Sequence, residues 1–259
     1  MKRIFLASVA VLSLVSSALA TDLPVYKATV GPVVVPAFSW TGLYVGGNIG
    51  YGWAAHSFDI TGADPNSQNF FALLGNPGSL DQTTKGVVGG FQTGYNMQFG
   101  SWVLGAEFLF DWTNMNSSGG QMATIGAVPV AQVSSGVRVD WDGAINARIG
   151  YTPWSNWMVA LFGGFAFGNI SDNAAVTCLI ACGPFGFSNG SSNTHIGWDA
   201  GAEIKYALTS HIITGFRYRY VDLGNQSLFI STGGAPPITF NGATSARWNE
   251  AMFTLDYKF

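Results

Sequence analysis

Residues 250–259 read E-A-M-F-T-L-D-Y-K-F. From position 253 the odd residues Phe253, Leu255, Tyr257 and Phe259 are apolar or aromatic, and the even residues Thr254, Asp256 and Lys258 are polar or charged. A two-residue period describes a strand with one greasy and one wet face. Terminal residues of a soluble domain are usually loose and polar, so a greasy face that runs out to Phe259 calls for an apolar surround. A strand that closes a membrane barrel has one, because its outer face meets lipid up to an aromatic girdle.

The same alternation recurs upstream, giving eight strands. The first, over about 40–56, sets Leu43, Val45, Ile49, Tyr51 and Trp53 against Gly46, Asn48, Gly50 and Gly52. Strands follow at about 85–99, 102–112, 137–151, 157–169, 195–208, 212–222 and 245–259. The fourth alternates Val137, Val139, Trp141, Ile145, Ile149 and Tyr151 with Arg138, Asp140, Asp142, Asn146 and Arg148. Links after strands two, four and six are short, around Gly100, Pro153–Asn156 and Thr209–Ser210. Links after strands one, three, five and seven are long and rich in Gly, Ser, Asn and Pro, over 57–84, 113–136, 170–194 and 223–244. An even strand count with short turns at one end and long loops at the other points to an all-β, eight-stranded antiparallel transmembrane β-barrel. A soluble sandwich has no reason to sort its loops by parity.

The N-terminus agrees with export. Lys2 and Arg3, an apolar stretch from Ile4 to Val15 and the small-x-small site Ala18-Leu19-Ala20 form a signal peptide over residues 1–20. Residues 21–39 hold three prolines and read as an extended periplasmic lead-in, leaving 40–259 for the barrel. Only 10% of the chain is charged, while 14% is aromatic and 34 residues are glycine. Of 11 Lys and Arg, Lys2 and Arg3 leave with the leader, so nine face 14 Asp and Glu, a formal charge of −5. No basic footprint for nucleic acid is present. Beyond the leader no apolar run approaches the roughly 20 residues of a spanning helix.

The wet faces define the candidate site. They carry the acids Glu107, Asp111, Asp140, Asp142, Asp199, Glu203, Glu250 and Asp256, and the bases Arg138, Arg148, Lys205, Arg217, Arg219 and Lys258. Eight strands enclose an interior just wide enough for side chains, and charges confined there must pair. The near balance of sign predicts a self-neutralised polar plug rather than an open channel. Rival readings are a narrow porin-like channel, a haemin or adhesion-ligand binder, and a lipid-modifying or proteolytic barrel enzyme. His56 beside Ser57, and His195, fall toward the loop rim, while His211 falls beside a short turn. That scatter gives no catalytic constellation, so no catalytic or metal residue is assigned. A rim histidine could offer an axial ligand to haemin, but no cofactor is expected. The run G-G-N-I-G-Y-G at 46–52 lacks the following helix of a nucleotide loop and fits small residues in a crowded lumen. Cys178 and Cys182 in C-L-I-A-C travel an oxidising route and read as a small loop disulfide. A metal pair would lack a neighbouring His or acid, and so short a loop can strain a bridge.

Several segments carry a family resemblance: D-L-P-V-Y-K-A at 22–28, F-S-W-T-G-L-Y-V-G-G-N-I-G-Y-G-W at 38–53, G-G-F-Q-T-G-Y-N at 89–96, W-V-L-G-A-E-F at 102–108 and N-A-R-I-G-Y at 146–151. Together they resemble the alphaproteobacterial small outer-membrane surface proteins, porin-family barrels similar to the OmpA-like membrane domain. The resemblance implies a cell outer-membrane location and a role in envelope integrity, host contact or haemin binding, with no catalytic motif to carry over. Its implied partners are outer-membrane lipid and lipopolysaccharide, periplasmic chaperones, the barrel-assembly machinery and a host or surface ligand. Phe253, Leu255, Tyr257 and Phe259 resemble the signal that this machinery recognises. No peptidoglycan-binding domain is expected after the barrel.

Overall fold

The computed structural model describes residues 38–62, 65, 68–69, 79–125, 127–179, 186–231 and 239–259. The expected leader, the lead-in up to residue 37 and Cys182 lie outside them, and the Cys178–Cys182 bridge does too.

Alternating sequence becomes strand throughout. The elements are β1 (Gly42–Gly62), β2 (Ser79–Phe99), β3 (Trp102–Ile125), β4 (Val128–Trp154), β5 (Trp157–Cys178), β6 (Gly186–Ala207), β7 (Ile212–Ser231) and β8 (Thr239–Lys258). Each pairs antiparallel with its sequence neighbour, and β8 returns to β1 to close the barrel. Closure removes the unpaired strand edges that could not be satisfied in lipid. Leu255 lies opposite Gly47, Phe253 opposite Ile49, and Phe259 donates its backbone N–H to Leu43 O at 2.9 Å.

The outer surface carries Ile49, Phe91, Leu104, Ile145, Leu161, Ile204, Phe216 and Phe253, all well exposed. Aromatic rings bound this band at both ends. On the short-turn side Trp102 packs against Tyr151 at 5.3 Å, Trp157 against Tyr206 at 4.8 Å, and Tyr257 against Phe259 at 5.2 Å. On the other side Phe110 stacks on Trp141 at 5.6 Å and Trp198 meets Tyr220 at 5.6 Å. Trp102 pairs with Tyr151 and Trp112 with Trp141. The band therefore spans Trp102–Trp112 on β3, the about 9–11 residues a tilted strand needs to cross a bilayer.

The strands do not stop there. Their lengths run from 20 to 27 residues, about twice the spanning need. The excess lies on the outer side, so much of what reads as long loop (57–62, 79–84, 113–125, 128–136, 170–178, 186–194, 223–231 and 239–244) is paired strand standing beyond the membrane. In these stretches water meets the outer face, so greasy alternation is not needed and Gly-, Ser- and Asn-rich sequence pairs just as well.

The fourth strand departs from the expected facing. A register shift between Val139 and Trp141 inserts an extra residue against β5, and the same region of β3 shifts between Trp112 and Met115. A bulge reverses which parity points inward. Below it Asp142, Ala144, Asn146 and Arg148 face the lumen, whereas above it Val139 is buried inside. Arg138 and Asp140 turn outward, with side chains 61% and 26% exposed, and pair with each other at 2.7 Å. They are not lumen residues. Ser171 completes the group by donating to Asp140 Oδ2 at 2.6 Å.

Candidate functional site: a layered ionic lumen

Going up from the short-turn end, inward positions form successive layers. The first is apolar. Trp40 precedes β1 and folds into the mouth, almost fully buried, among Val103, Met158, Ala160, Ala207 and Ile213. Its indole Nε1–H donates to Ser155 O at 3.0 Å, and its backbone N–H donates to Gln98 Oε1 at 2.8 Å. Phe38 covers it edge-on at 5.0 Å, and Lys258 Nζ lies 5.3 Å from the Phe38 ring centre. Lys258 thus faces inward as expected, but at the mouth and over an aromatic ring, with no carboxylate partner among the described contacts.

The second layer is a balanced ion cluster. Arg148 bridges Glu107 and Glu203, the latter at 2.9 Å. Arg217 Nη2 lies 2.7 Å from both Glu107 Oε1 and Glu203 Oε2. Lys205 Nζ meets Asp256 Oδ2 at 2.6 Å and Glu203 at 3.8 Å. Neutral partners complete it, since Tyr44 donates to Glu107 Oε2 at 2.7 Å and Gln92 to Asp256 Oδ1 at 2.7 Å. Phe162 lies under the Arg217 guanidinium at 4.9 Å, a cation–π contact strengthened by the dry surround. Three acids face three bases here. The glycines of β1 and β2 make room: a Cβ on Gly46 would collide with Asp256, and one on Gly94 with the Tyr44 hydroxyl.

The third layer is not balanced. Arg219 alone serves four carboxylates. Its Nε lies 2.7 Å from Asp199 Oδ2, and its Nη1 lies 2.5 Å from Asp142 Oδ1, 3.0 Å from Glu250 Oε2 and 3.8 Å from Asp111 Oδ2. The Trp248 indole donates to Glu250 Oε1 at 2.6 Å, and Asn146 donates to Asp199 at 3.0 Å. Above it, Val88, Met115, Val139, Ile170, Val221, Leu223 and Trp248 form a second apolar layer. Arg217 and Arg219 are both fully shielded from solvent. Losing Arg138, Asp140 and Lys258 from the expected network leaves seven acids and four bases in the two tiers, a formal excess of three negative charges, all in the upper one.

The histidines are not brought together. His195 lies on β6 opposite Gly168, half-buried, and its Nε2 lacks a hydrogen-bond partner. Burial holds its ring below the ordinary imidazole value. His56 pairs through its backbone with Gln82 on β2, two strands that do not adjoin β6. His211 sits at the opposite end, 2.8 Å from Ser210 Oγ and stacked on Tyr257 at 5.6 Å. Sequence reasoning missed the inward aromatics Trp40, Tyr44, Phe162 and Trp248, because it assigns rings to the lipid face. The polar parity shared with Gly46 and Asn48 was the available signal for Tyr44.

An outer membrane protein beta-barrel domain model matches residues 7–259. The 31 kDa outer-membrane immunogenic protein of Brucella melitensis biotype 1 is 34% identical over 239 residues, covering 88% of this chain and 90% of that one. The 22 kDa outer membrane protein of Rhizobium leguminosarum bv. viciae is 26% identical over 202 residues, covering 77% and 72%. Among solved structures, the outer membrane protein OprG from Pseudomonas aeruginosa shares the fold with a TM-score of 0.50 at 11% identity, covering 86% of this chain and 98% of that one. The closed antiparallel barrel, its two aromatic girdles and these matches agree: the chain belongs to the outer-membrane β-barrel protein family, beside the outer-membrane immunogenic proteins of Brucella.

Proposed function

We propose that this protein is a sealed structural barrel that contributes to envelope integrity and presents its outer strand ends and links at the cell surface. The observation that carries this reading is the unbroken sequence of layers across the lumen, apolar at Trp40, ionic at Arg217 and Arg219, and apolar again at Leu223 and Trp248. A solute would have to separate ion pairs in a dry interior, each worth several kcal/mol to break. Single-channel recording from the purified protein in planar bilayers tests it. Large, persistent open levels would favour the narrow-channel alternative.

Within this reading the outward residues Phe253, Leu255, Tyr257 and Phe259 meet lipid and offer the contact for the barrel-assembly machinery, after delivery by periplasmic chaperones. Lipopolysaccharide surrounds the outer girdle, and a host or surface ligand would meet the projecting strands. The Brucella relative at 34% identity is named immunogenic, and in this chain the projecting strands are the part that a surface antigen would expose. Haemin is the second reading, favoured only by the unpartnered Nε2 of His195; a saturable Soret shift that His195→Ala abolishes would distinguish it. No catalytic residues are assigned.

A further inference from the structure

The upper ionic tier poses a question of charge that the sealed-barrel reading does not answer. Four carboxylates share one guanidinium in a part of the lumen closed by apolar layers above and a neutral cluster below. Isolated buried charge is expensive, and three uncompensated negative charges in one tier cannot stand. The atoms there say what is missing. Asp111 is fully buried, and its neighbours of opposite or polar character are the side-chain amide of Asn48 and, at 3.8 Å, Arg219 Nη1, neither of them a close charge partner. Asp142 Oδ2 and Asp199 Oδ1 are without hydrogen-bond partners. Asn48 places an unpartnered amide oxygen on the same tier, opposite Gly90, which in turn pairs with Asp111. Apart from Arg219 Nη2, the unpartnered atoms of this tier are acceptors, so the site lacks positive charge rather than more oxygen.

We propose that Asp111, Asp142 and Glu250, with Asn48 beside them, bind one hard divalent cation of the calcium class next to Arg219. One oxygen from each of the three carboxylates lies within 4.8 Å of the others. Calcium–oxygen distances of about 2.3–2.6 Å let ligands on opposite sides of the ion stand about 4.6–5.2 Å apart, so the spacing of the three carboxylates is within the reach of one calcium ion, with the Arg219 guanidinium moving aside from their midst. Magnesium, at about 2.0–2.1 Å, would require the strands to draw in. An all-oxygen donor set excludes the softer metals that want nitrogen or sulfur. The ion brings the tier from three excess negative charges to one. Because apolar layers close the lumen on both sides, it loads as the barrel folds and exchanges slowly afterwards.

The test uses the full mature chain refolded in neutral-detergent micelles at neutral pH with calcium chloride, then stripped of loose ions with EDTA. Elemental analysis of the heat-modifiable, folded fraction is expected to find about one calcium per chain. Asp111→Asn and Glu250→Gln should each lower that content by about tenfold, while Asp222→Asn, at the rim pair with Arg247, should leave it unchanged. Terbium refolded in place of calcium should luminesce on indole excitation through Trp248, whose N–H lies 2.6 Å from Glu250 Oε1, and Asp111→Asn should dim it. Wild-type protein that folds but retains no calcium would overturn the proposal and assign the missing charge to protons. Equal retention in wild type and the carboxamide variants would overturn it in favour of exterior carboxylates. If either variant fails to fold, displacement of terbium by calcium during refolding of the wild-type chain decides the same question. Neither result depends on whether the barrel conducts.

Discussion

At the residue scale, Arg219 is the member of the lumen with most depending on it. It contacts Asp142, Asp199, Glu250 and, more distantly, Asp111. Removing one partner of a buried ion pair costs about 3–5 kcal/mol, mostly from the charges left behind. Arg219→Met should therefore lower the urea midpoint of the heat-modifiable form by an amount of that order, and a midpoint equal to wild type would contradict its role. Asp172 offers a second residue-scale test, outside the membrane band on the β5 extension. It is buried, one of its oxygens is unpartnered, and burial pushes its carboxyl up to about 6 from an ordinary 3.8. The native state then holds the proton more tightly than the unfolded chain. Stability is fully present below the ordinary value and falls as pH rises toward about 6, then levels off. Asp172→Asn should match wild type in acid and become the more stable of the two as pH rises through that window. Unfolding midpoints measured from pH 4 to 8 check the sign.

At the element scale, the strands show which features were open to reading. The lipid-facing parity of the terminal residues 253–259, of Trp102–Trp112 and of Ile145–Tyr151 follows from alternation, because one face meets hydrocarbon and the other the lumen. Strand continuation past the outer girdle was hidden, since both faces there are wet and alternation carries no signal. The bulge at Val139–Trp141 was hidden too: R-V-D-W-D alternates without interruption, and only pairing to β5 reveals the extra residue. A labelling experiment distinguishes the two facings. With Cys178 and Cys182 replaced by serine, Arg138→Cys should react with a membrane-impermeant maleimide on intact cells, while Asn146→Cys should not. Labelling of both would move the lumen wall. On β8, Phe259 is outward and packs edge-on against Tyr257. Phe259→Ala should reduce the folded, heat-modifiable protein in outer-membrane fractions, and unchanged assembly would remove the proposed assembly contact.

At the scale of the whole molecule, barrel closure brings together residues that no local pattern links. Arg217 on β7 reaches Glu107 on β3, 110 residues away in sequence, and Gln92 on β2 reaches Asp256 on β8 across 164. The presence of lumen charges was legible from strand parity, but their partners depend on strand tilt and stagger, which alternation does not encode. Trp40 is the clearest case. The sequence places it at the start of the first strand, and only the assembled mouth shows it as a plug ahead of β1. Layering also alters the electrostatic expectation, since the ions separate into a neutral lower tier and an acidic upper tier. Whether these layers close the lumen is read by single-channel recording of the purified protein in planar bilayers. A sealed lumen gives a baseline without sustained open levels at moderate voltage, whereas large, long-lived openings from the folded protein would mean that the layers do not close it.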